Sequence, residues 1–279
     1  MHSKRNALRT LVVALVVGAT PFVHAQVVNG GFEDAGGSLN GWGSSGNAFA
    51  SNGSIFGPPA GGSFQATLAT STDGSFGEPI GSGVSESTAT SFLGLASGAL
   101  SAVGNGNVDM VSAITQTIHL NAGDKLVFKY NFLTNQTNND PSAPAFAQRP
   151  SAAHNDFAFL SLVPTGGSAA VLKLIDTFYG YQDITPSDPA GFLTGFTTTP
   201  VTNPFISESG YLTGTFTALS TDDYNFGFGV TNAFSGVNNG INSGLLVDNV
   251  HVVAVPEPAT MAALGLGLVG TLRRRSKNR

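Results

Sequence analysis

The chain of 279 residues contains no cysteine, and its central part contains almost no basic residues. The absence of cysteine excludes a disulfide framework and thiolate-bound zinc or iron–sulfur sites. Between positions 26 and 254, only Lys125, Lys129, Arg149 and Lys173 are basic, against sixteen acidic residues, which gives a net charge of −12. A body so poor in cations offers no surface to a phosphate backbone, so nucleic-acid binding is excluded.

Long amphipathic helical patterns are also lacking in the central part, whereas glycine and phenylalanine are abundant. The 36 Gly and 20 Phe, together with many Val and Thr, suit numerous short strands joined by turns. Short apolar or alternating runs predict strands at 63–69, 114–120, 125–132, 156–163, 170–178, 211–219, 224–230 and 245–253. Residues 91–103 predict a short helix, and residues 121–124 predict a hairpin turn. We therefore expect residues 26–254 to form one all-β domain, an antiparallel β-sandwich.

The first 25 residues have the pattern of a secretory signal peptide. Basic residues at the start precede the apolar run 11–17, and small or modest side chains follow near Ala25. The apolar run is too short to span a membrane comfortably. We expect a signal helix over residues 1–25 and cleavage by signal peptidase between Ala25 and Gln26. The alternative is a buried N-terminal helix.

The last 25 residues, 255–279, contain three features in a fixed order. Pro256, Glu257 and Pro258 come first, and this pair of prolines predicts an extended, exposed segment. The apolar stretch 259–272 follows and can form a helix. Arg273, Arg274 and Arg275 come next and would hold the end of that helix on the cytoplasmic side.

This order of motif, apolar stretch and arginines resembles the PEP-CTERM sorting tail of Gram-negative bacteria. The resemblance implies that Pro256, Glu257 and Pro258 are recognised by a membrane-embedded exosortase, and that the membrane helix and its arginines are removed. The apolar stretch has only 14 residues, whereas about 20 are needed to cross the hydrocarbon core. Snorkelling of Arg273 and local thinning of the bilayer would cover part of the difference. The alternative is a loosely docked amphipathic tail.

The two ends of the body also carry a resemblance. Residues 27–33, which include Asn-Gly-Gly-Phe-Glu, and residues 244–250 resemble the ends of jelly-roll β-sandwich modules, including several carbohydrate-binding families. In such modules the first and last strands are neighbours. The resemblance implies that Glu33 faces Asp248, and in some modules the corresponding acids hold a structural calcium ion. Alternatively, Glu33 and Asp248 only accept hydrogen bonds from backbone amides and lock the strand ends.

No catalytic pattern stands out in the body. It contains neither a G-x-S-x-G elbow nor an H-E-x-x-H pair, and its carboxylates cannot be paired from sequence. We therefore expect no catalytic residues and no enzyme. Trp42 is a candidate for stacking on a sugar, although a core position is favoured. Tyr179 and Tyr181, beside a long polar connection, are further candidates for exposed aromatic contacts.

These features together predict an exported protein, held at the inner membrane as a precursor and found at the cell surface or outside the cell when mature. We expect a structural or adhesive role in an exopolysaccharide or biofilm matrix, as the resemblance of the tail implies. The expected partners are signal peptidase, exosortase and extracellular polysaccharide, and the membrane is contacted only through the tail before processing. A carbohydrate-binding, lectin-like adhesin is the alternative, and a secreted hydrolase is a third hypothesis.

Overall fold

The computed structural model describes residues 26–104, 108–135, 156–177, 180–181, 197–199, 203–232 and 242–255. In these residues, two large antiparallel sheets dominate. The first sheet has the strand order β1 (Gly43–Ser45), β6 (Met110–Leu120), β14 (Asp222–Asn232), β8 (Phe157–Pro164), β9 (Ala170–Asp176), β10 (Gly180–Tyr181). The second has the order β11 (Thr197–Thr198), β12 (Ser207–Glu208), β7 (Lys125–Thr134), β15 (Ser243–Val253), β3 (Gln65–Ala69), β2 (Asn47–Ser51), with β13 (Leu212–Thr217) also pairing with β7. A separate small ladder joins β4 (Ser71–Thr72) and β5 (Gly81–Ser82).

The two large sheets pack face to face because their strands alternate between buried and more exposed side chains. In the first half of β7, Leu126, Phe128 and Tyr130 are fully buried, whereas the residues between them reach solvent at least in part. Phe128 of the second sheet meets Phe228 of the first edge to face, with ring centroids 4.7 Å apart. The main hydrophobic core therefore lies between the sheets. This arrangement confirms the predicted all-β antiparallel sandwich, and each of the eight predicted strands overlaps an observed one.

The outer face of each sheet is partly covered as well. The helices α1 (Glu86–Leu93) and α2 (Ala99–Gly104) cover the first sheet, where Leu93 and Leu100 belong to one cluster with Phe157 and Phe159. On the second sheet, Phe56 and Phe205 pack against Leu133 and Leu246. A 3-10 turn (Asp34–Gly36) follows the opening segment of the body. Both sheet faces thus carry buried apolar contacts.

The helix predicted over 91–103 is instead two short helices. Gly94 ends α1 with a left-handed backbone (φ 75°), and Gly98, just before α2, has φ 77°. Glycine adopts this conformation at little cost, so these two positions interrupt the helix. The prediction of helical structure was therefore correct, but the prediction of one continuous helix was wrong.

The turn at 121–124 is present, but it does not form a hairpin. The Asp124 amide donates to the Asn121 carbonyl at 3.0 Å, and Gly123 has φ 95°. The strands on either side, however, belong to different sheets: β6 pairs with β14, and β7 pairs with β15 and β13. The hairpin prediction was wrong because long-range pairing carries the chain from one sheet to the other at this turn.

Several predictions fall on residues outside the described ranges. The signal helix up to Ala25, the motif Pro256 to Pro258, the membrane helix and Arg273 to Arg275 are among them. Within the residues that the structure does describe, no helix has the length and apolarity needed to cross a membrane.

Candidate functional site

The opening segment of the body is a tight turn that lies against the last strand, β15. The Phe32 amide donates to the Asn29 carbonyl at 3.1 Å, and both residues have positive φ angles. The Val250 amide donates to the Gly30 carbonyl at 2.8 Å. A Cβ atom at Gly30 would lie 1.9 Å from the Val250 carbonyl oxygen, so only glycine fits. The expected proximity to the last strand is observed, although this segment is a turn rather than a strand.

The last strand has an irregularity where it meets this turn. Its register against β7 shifts between Asp248 and His251, and Asn249 has φ 52°. A bulge of this kind re-aims the side chains beside it. Asp248 is fully buried, and its Oδ2 atom accepts a hydrogen bond from the Gly61 amide at 2.8 Å. Its Oδ1 atom accepts from the Asn249 amide at 2.7 Å.

Glu33 binds the same segment that Asp248 binds. Its Oε1 atom accepts from the Ser63 amide at 2.7 Å and from the Phe64 amide at 2.8 Å. A Cβ atom at Gly62 would come within 2.2 Å of that oxygen. The backbone amides of residues 61–64, here called the cradle, therefore bind both carboxylates. One carboxylate comes from each end of the body. Sequence reasoning missed this cradle, and its one local signal is the Gly61–Gly62 pair after two prolines.

The environment of Asp248 disfavours its charged form. Burial is the main cause, and the negative charge of Glu33 adds to it, so that the pKa of Asp248 rises to about 6. The hydrogen bonds from Gly61 and Asn249 act in the opposite direction. Because the pKa in the unfolded chain is about 3.9, the folded state binds more protons between these two values. The contribution of Asp248 to stability is therefore present below about pH 4 and is lost as the pH rises through about 6.

Glu33 and Asp248 both accept hydrogen bonds from backbone amides, and their carboxylate oxygens also suit a hard cation. Glu33 and Asp248 are close enough to repel each other, and calcium prefers carboxylate and carbonyl oxygens. Each carboxylate group, with about four lone-pair sites on its two oxygens, has lone pairs beyond those used by the amides. Among the described residues, no group of three or more His, Cys, Asp or Glu side chains could hold a metal ion. Further ligands at this pair would therefore be backbone carbonyls or water.

Trp42 lies in the core, the position that its sequence context favoured. Its ring packs against Phe32 and Phe226 with centroids 5.4 Å away in both cases, and only 8% of the residue is exposed. Its Nε1 atom donates to the Asn29 carbonyl at 3.2 Å. Trp42 thus presents no open face on which a sugar could stack. The structure supports the core position and not the candidate role in stacking. Tyr179 lies outside the described residues, and of Tyr181 only the backbone, in β10, is described.

An open, shallow groove borders the turn and the bulge. It has a volume of about 480 Å³ and is lined by residues 26–27, 30–31 and 249–252. Gln26, Asn249 and His251 supply its polar side chains, and the His251 Nδ1 atom lies 2.8 Å from the Asn249 carbonyl oxygen. Gln26, the first residue expected after signal cleavage, also lies at this groove.

The fold and these contacts define an antiparallel β-sandwich module whose opening turn is locked onto its last strand. Residues 254–276, at and beyond the end of that strand, match the family model of the PEP-CTERM protein-sorting motif. This match confirms the predicted sorting tail, and it covers the tail alone. The chain therefore carries an exported protein's sorting signal directly after a β-sandwich body.

The solved structures that match this chain do so with low TM-scores and very low sequence identity. The carbohydrate-binding module TmCBM61, solved in complex with β-1,4-galactotriose, has 10% identity and a TM-score of 0.37, with 81% of this chain and 96% of that chain covered. The xylan-binding domain from CBM 22 has 9% identity and a TM-score of 0.30 (80% and 91% covered). The enzymatically active domain of tailspike protein 4 from bacteriophage CBA120 has 12% identity and a TM-score of 0.34 (82% and 21% covered). A comparison with curated protein sequences gives no match.

Proposed function

We propose that this chain is a surface or extracellular-matrix protein that exosortase processes at its C-terminal tail. The match of residues 254–276 to the PEP-CTERM motif carries this proposal. The signal-peptide pattern of residues 1–25 supports export, and the acidic body suits a soluble module outside the cell. In this role the β-sandwich is a structural or adhesive unit of an exopolysaccharide or biofilm matrix.

Changing the sorting motif should block maturation. In the producing bacterium, the combined change Pro256→Ala, Glu257→Ala and Pro258→Ala should leave the full tail on the protein, because the processing enzyme no longer recognises it. Thr260→Ala, in the same tail but outside the motif, is the matched control and should mature normally. Intact-mass spectrometry of the exported protein reads both ends of the chain. A strain without exosortase that yields the normal mature mass would refute the proposal.

We further propose that Glu33 and Asp248 hold a structural calcium ion. A divalent cation between them would offset the repulsion of the two carboxylates and favour the ionised form of Asp248. Its role would be to lock the opening turn, the cradle 61–64 and the last strand together, with no part in chemistry.

Calcium should therefore change both the melting temperature and its pH dependence. In chelator, the stability of the full chain should fall between about pH 4 and 6, and Asp248→Asn should remove that part of the decline. At pH 7, calcium at about 100 times its Kd should add about 2.7 kcal/mol, a rise in melting temperature on the order of 5 °C. Asp248→Asn should respond to calcium far less. Equal melting temperatures of the unaltered protein in chelator and in calcium would show that the amides alone occupy the site.

A lectin-like adhesin is the second candidate function. The open polar groove beside Asn249 and His251 favours it, since a sugar needs convergent donors and acceptors. Affinity electrophoresis of the full chain in gels that contain the producer's own matrix polysaccharides tests this candidate. Retardation that His251→Ala abolishes would support it, and unchanged mobility in every polysaccharide would exclude it.

A further inference from the structure

The tail leaves the body at one end, and the surface at that end is here named the base surface. It consists of the turn 121–124 between β6 and β7, the turn 218–221 between β13 and β14, and residues 253–255 at the end of β15. The Gly123 amide donates to the Ala218 carbonyl at 2.8 Å, and the Ala218 amide donates to the Asp124 carbonyl at 2.9 Å. These bonds make the two turns one rigid unit.

Asp124 fastens the start of the tail to this unit. Its side chain is buried, and its Oδ1 atom accepts a hydrogen bond from the Val255 amide at 2.9 Å. Its Oδ2 atom accepts from the Asn121 amide at 2.9 Å. Val255 is therefore held on the folded body, and Pro256 of the sorting motif follows with no linker between them.

Exposed aliphatic side chains are concentrated on the base surface. Of the seven large hydrophobic residues that are exposed in the described part of the chain, Leu219, Val253 and Val255 lie here. Leu219 is 90% exposed, the highest value among the seven. It follows Ala218, whose carbonyl binds Gly123, and Gly123 in turn lies beside Val255. The three residues therefore lie close to the point at which the tail begins.

The segment between Val255 and the apolar stretch is short, and it limits the distance between the body and a membrane that holds the tail. The apolar stretch begins at Ala259, and the four Cα–Cα steps from Val255 span at most about 14 Å. The polar layer on each side of a bilayer is about 5–8 Å thick. An apolar stretch shorter than the hydrocarbon core draws its flanking residues still closer to the bilayer. The base surface then lies at the headgroup layer or within about 9 Å of it, and the attachment of Val255 sets its orientation.

We propose that the base surface rests on the lipid headgroup layer of the bilayer in the precursor, with Leu219, Val253 and Val255 in contact with lipid. This inference rests on the proposed function, in which the tail is the membrane segment. Among the described residues, Asp222 and Asp223 follow the turn 218–221, and Lys125 is the one Lys or Arg that adjoins either turn, so this part of the surface is not cationic. The contact therefore depends on the short segment after Val255 and on apolar side chains, without a requirement for anionic lipid.

The cysteine-free chain allows a direct test with single labels. Leu219→Cys and Ile80→Cys introduce one thiol each at exposed aliphatic positions, and Ile80 is 80% exposed. Ile80 precedes β5, and the segment around β4 and β5 is joined to Ser243 at the start of β15, the strand whose other end is Val253. Eleven residues of strand separate the two ends by about 35 Å. Ile80→Cys is thus the matched control at the far end of the body.

The full precursor, with each label in turn, is reconstituted in phosphatidylcholine nanodiscs that carry a nitroxide quencher on the lipid headgroup. The fluorophore at position 219 should be quenched several-fold more than the fluorophore at position 80. Insertion of twelve Gly and Ser residues after Val255 adds a mean reach of about 20 Å and should remove most of this difference. Equal quenching at both positions in a precursor that co-elutes with nanodiscs would overturn the proposal.

Two other results would also overturn the proposal, each for a different reason. If quenching or crosslinking at position 219 depends on added exosortase, the base surface contacts the enzyme and not lipid. If the precursor does not co-elute with nanodiscs, the tail is not a membrane segment, and the proposed function fails together with the inference. Co-elution without selective quenching leaves the function intact and removes the inference alone.

Discussion

Replacing Gly30 with alanine should destabilise the body by about 3 kcal/mol, the upper part of the range for forced overpacking. The new Cβ atom would lie 1.9 Å from the Val250 carbonyl oxygen, which is backbone and cannot rotate away. The hydrogen bond between the Val250 amide and the Gly30 carbonyl would have to break or lengthen. The opening turn would then detach from β15, and Glu33 would leave the cradle at 61–64. Chemical denaturation of the full chain measures the loss.

Gly31 provides a control for this change at the next position. Its Cβ atom would meet only the Glu33 Cγ atom, at 3.7 Å, which is an ordinary contact. Gly31→Ala should therefore change the free energy of unfolding by no more than about 1 kcal/mol, in either direction. Equal effects of the two substitutions would show that the turn does not pack on the last strand in this way.

Replacing Trp42 with alanine should cost about 3–5 kcal/mol, as for other large aromatic residues removed from cores. The indole ring fills the space between Phe32 of the opening turn and Phe226 and Phe228 of β14. Its removal also leaves the Asn29 carbonyl without the Nε1 donor. Because Trp42 is the only tryptophan, its fluorescence reports this environment alone. The native emission should be shifted to the blue relative to that of the unfolded chain.

Trp42→Phe separates packing from hydrogen bonding at the same position. It keeps an aromatic ring in the core and should cost less than half as much as Trp42→Ala. If Trp42→Ala instead kept the full stability of the body and lost binding to a polysaccharide, Trp42 would be a surface platform for sugars. That result would contradict the core position.

Strand positions were predictable because each depends on a short stretch of chain. In a run such as 125–132, large apolar side chains occupy every second position and the positions between them are mostly polar, which suits a strand with one buried face in any sheet. The sorting tail was predictable for a similar reason, since its motif, apolar stretch and arginines are contiguous. The signal peptide and its cleavage after Ala25 stay predictions of the same local kind.

The pairing of strands was not predictable from the same patterns. The turn 121–124 has the residues of a hairpin, yet β6 and β7 join different sheets because their partners β14 and β15 lie more than 100 residues further along the chain. The break in the helical region 91–103 has a local cause at Gly94 and Gly98, and only the observed φ angles show it.

The candidate site was also predictable only in part. Glu33 and Asp248 could be named because they sit in recognisable segments at the two ends of the body. The residues that bind them could not, since the Gly61 amide and Asp248 are 187 positions apart in the chain. Local sequence was sufficient for the strands, the acidic character of the body and the sorting tail. Tertiary structure alone decided the sheet order, the cradle at 61–64 and the attachment of Val255 to Asp124, because each of these depends on contacts between distant segments that no local pattern specifies.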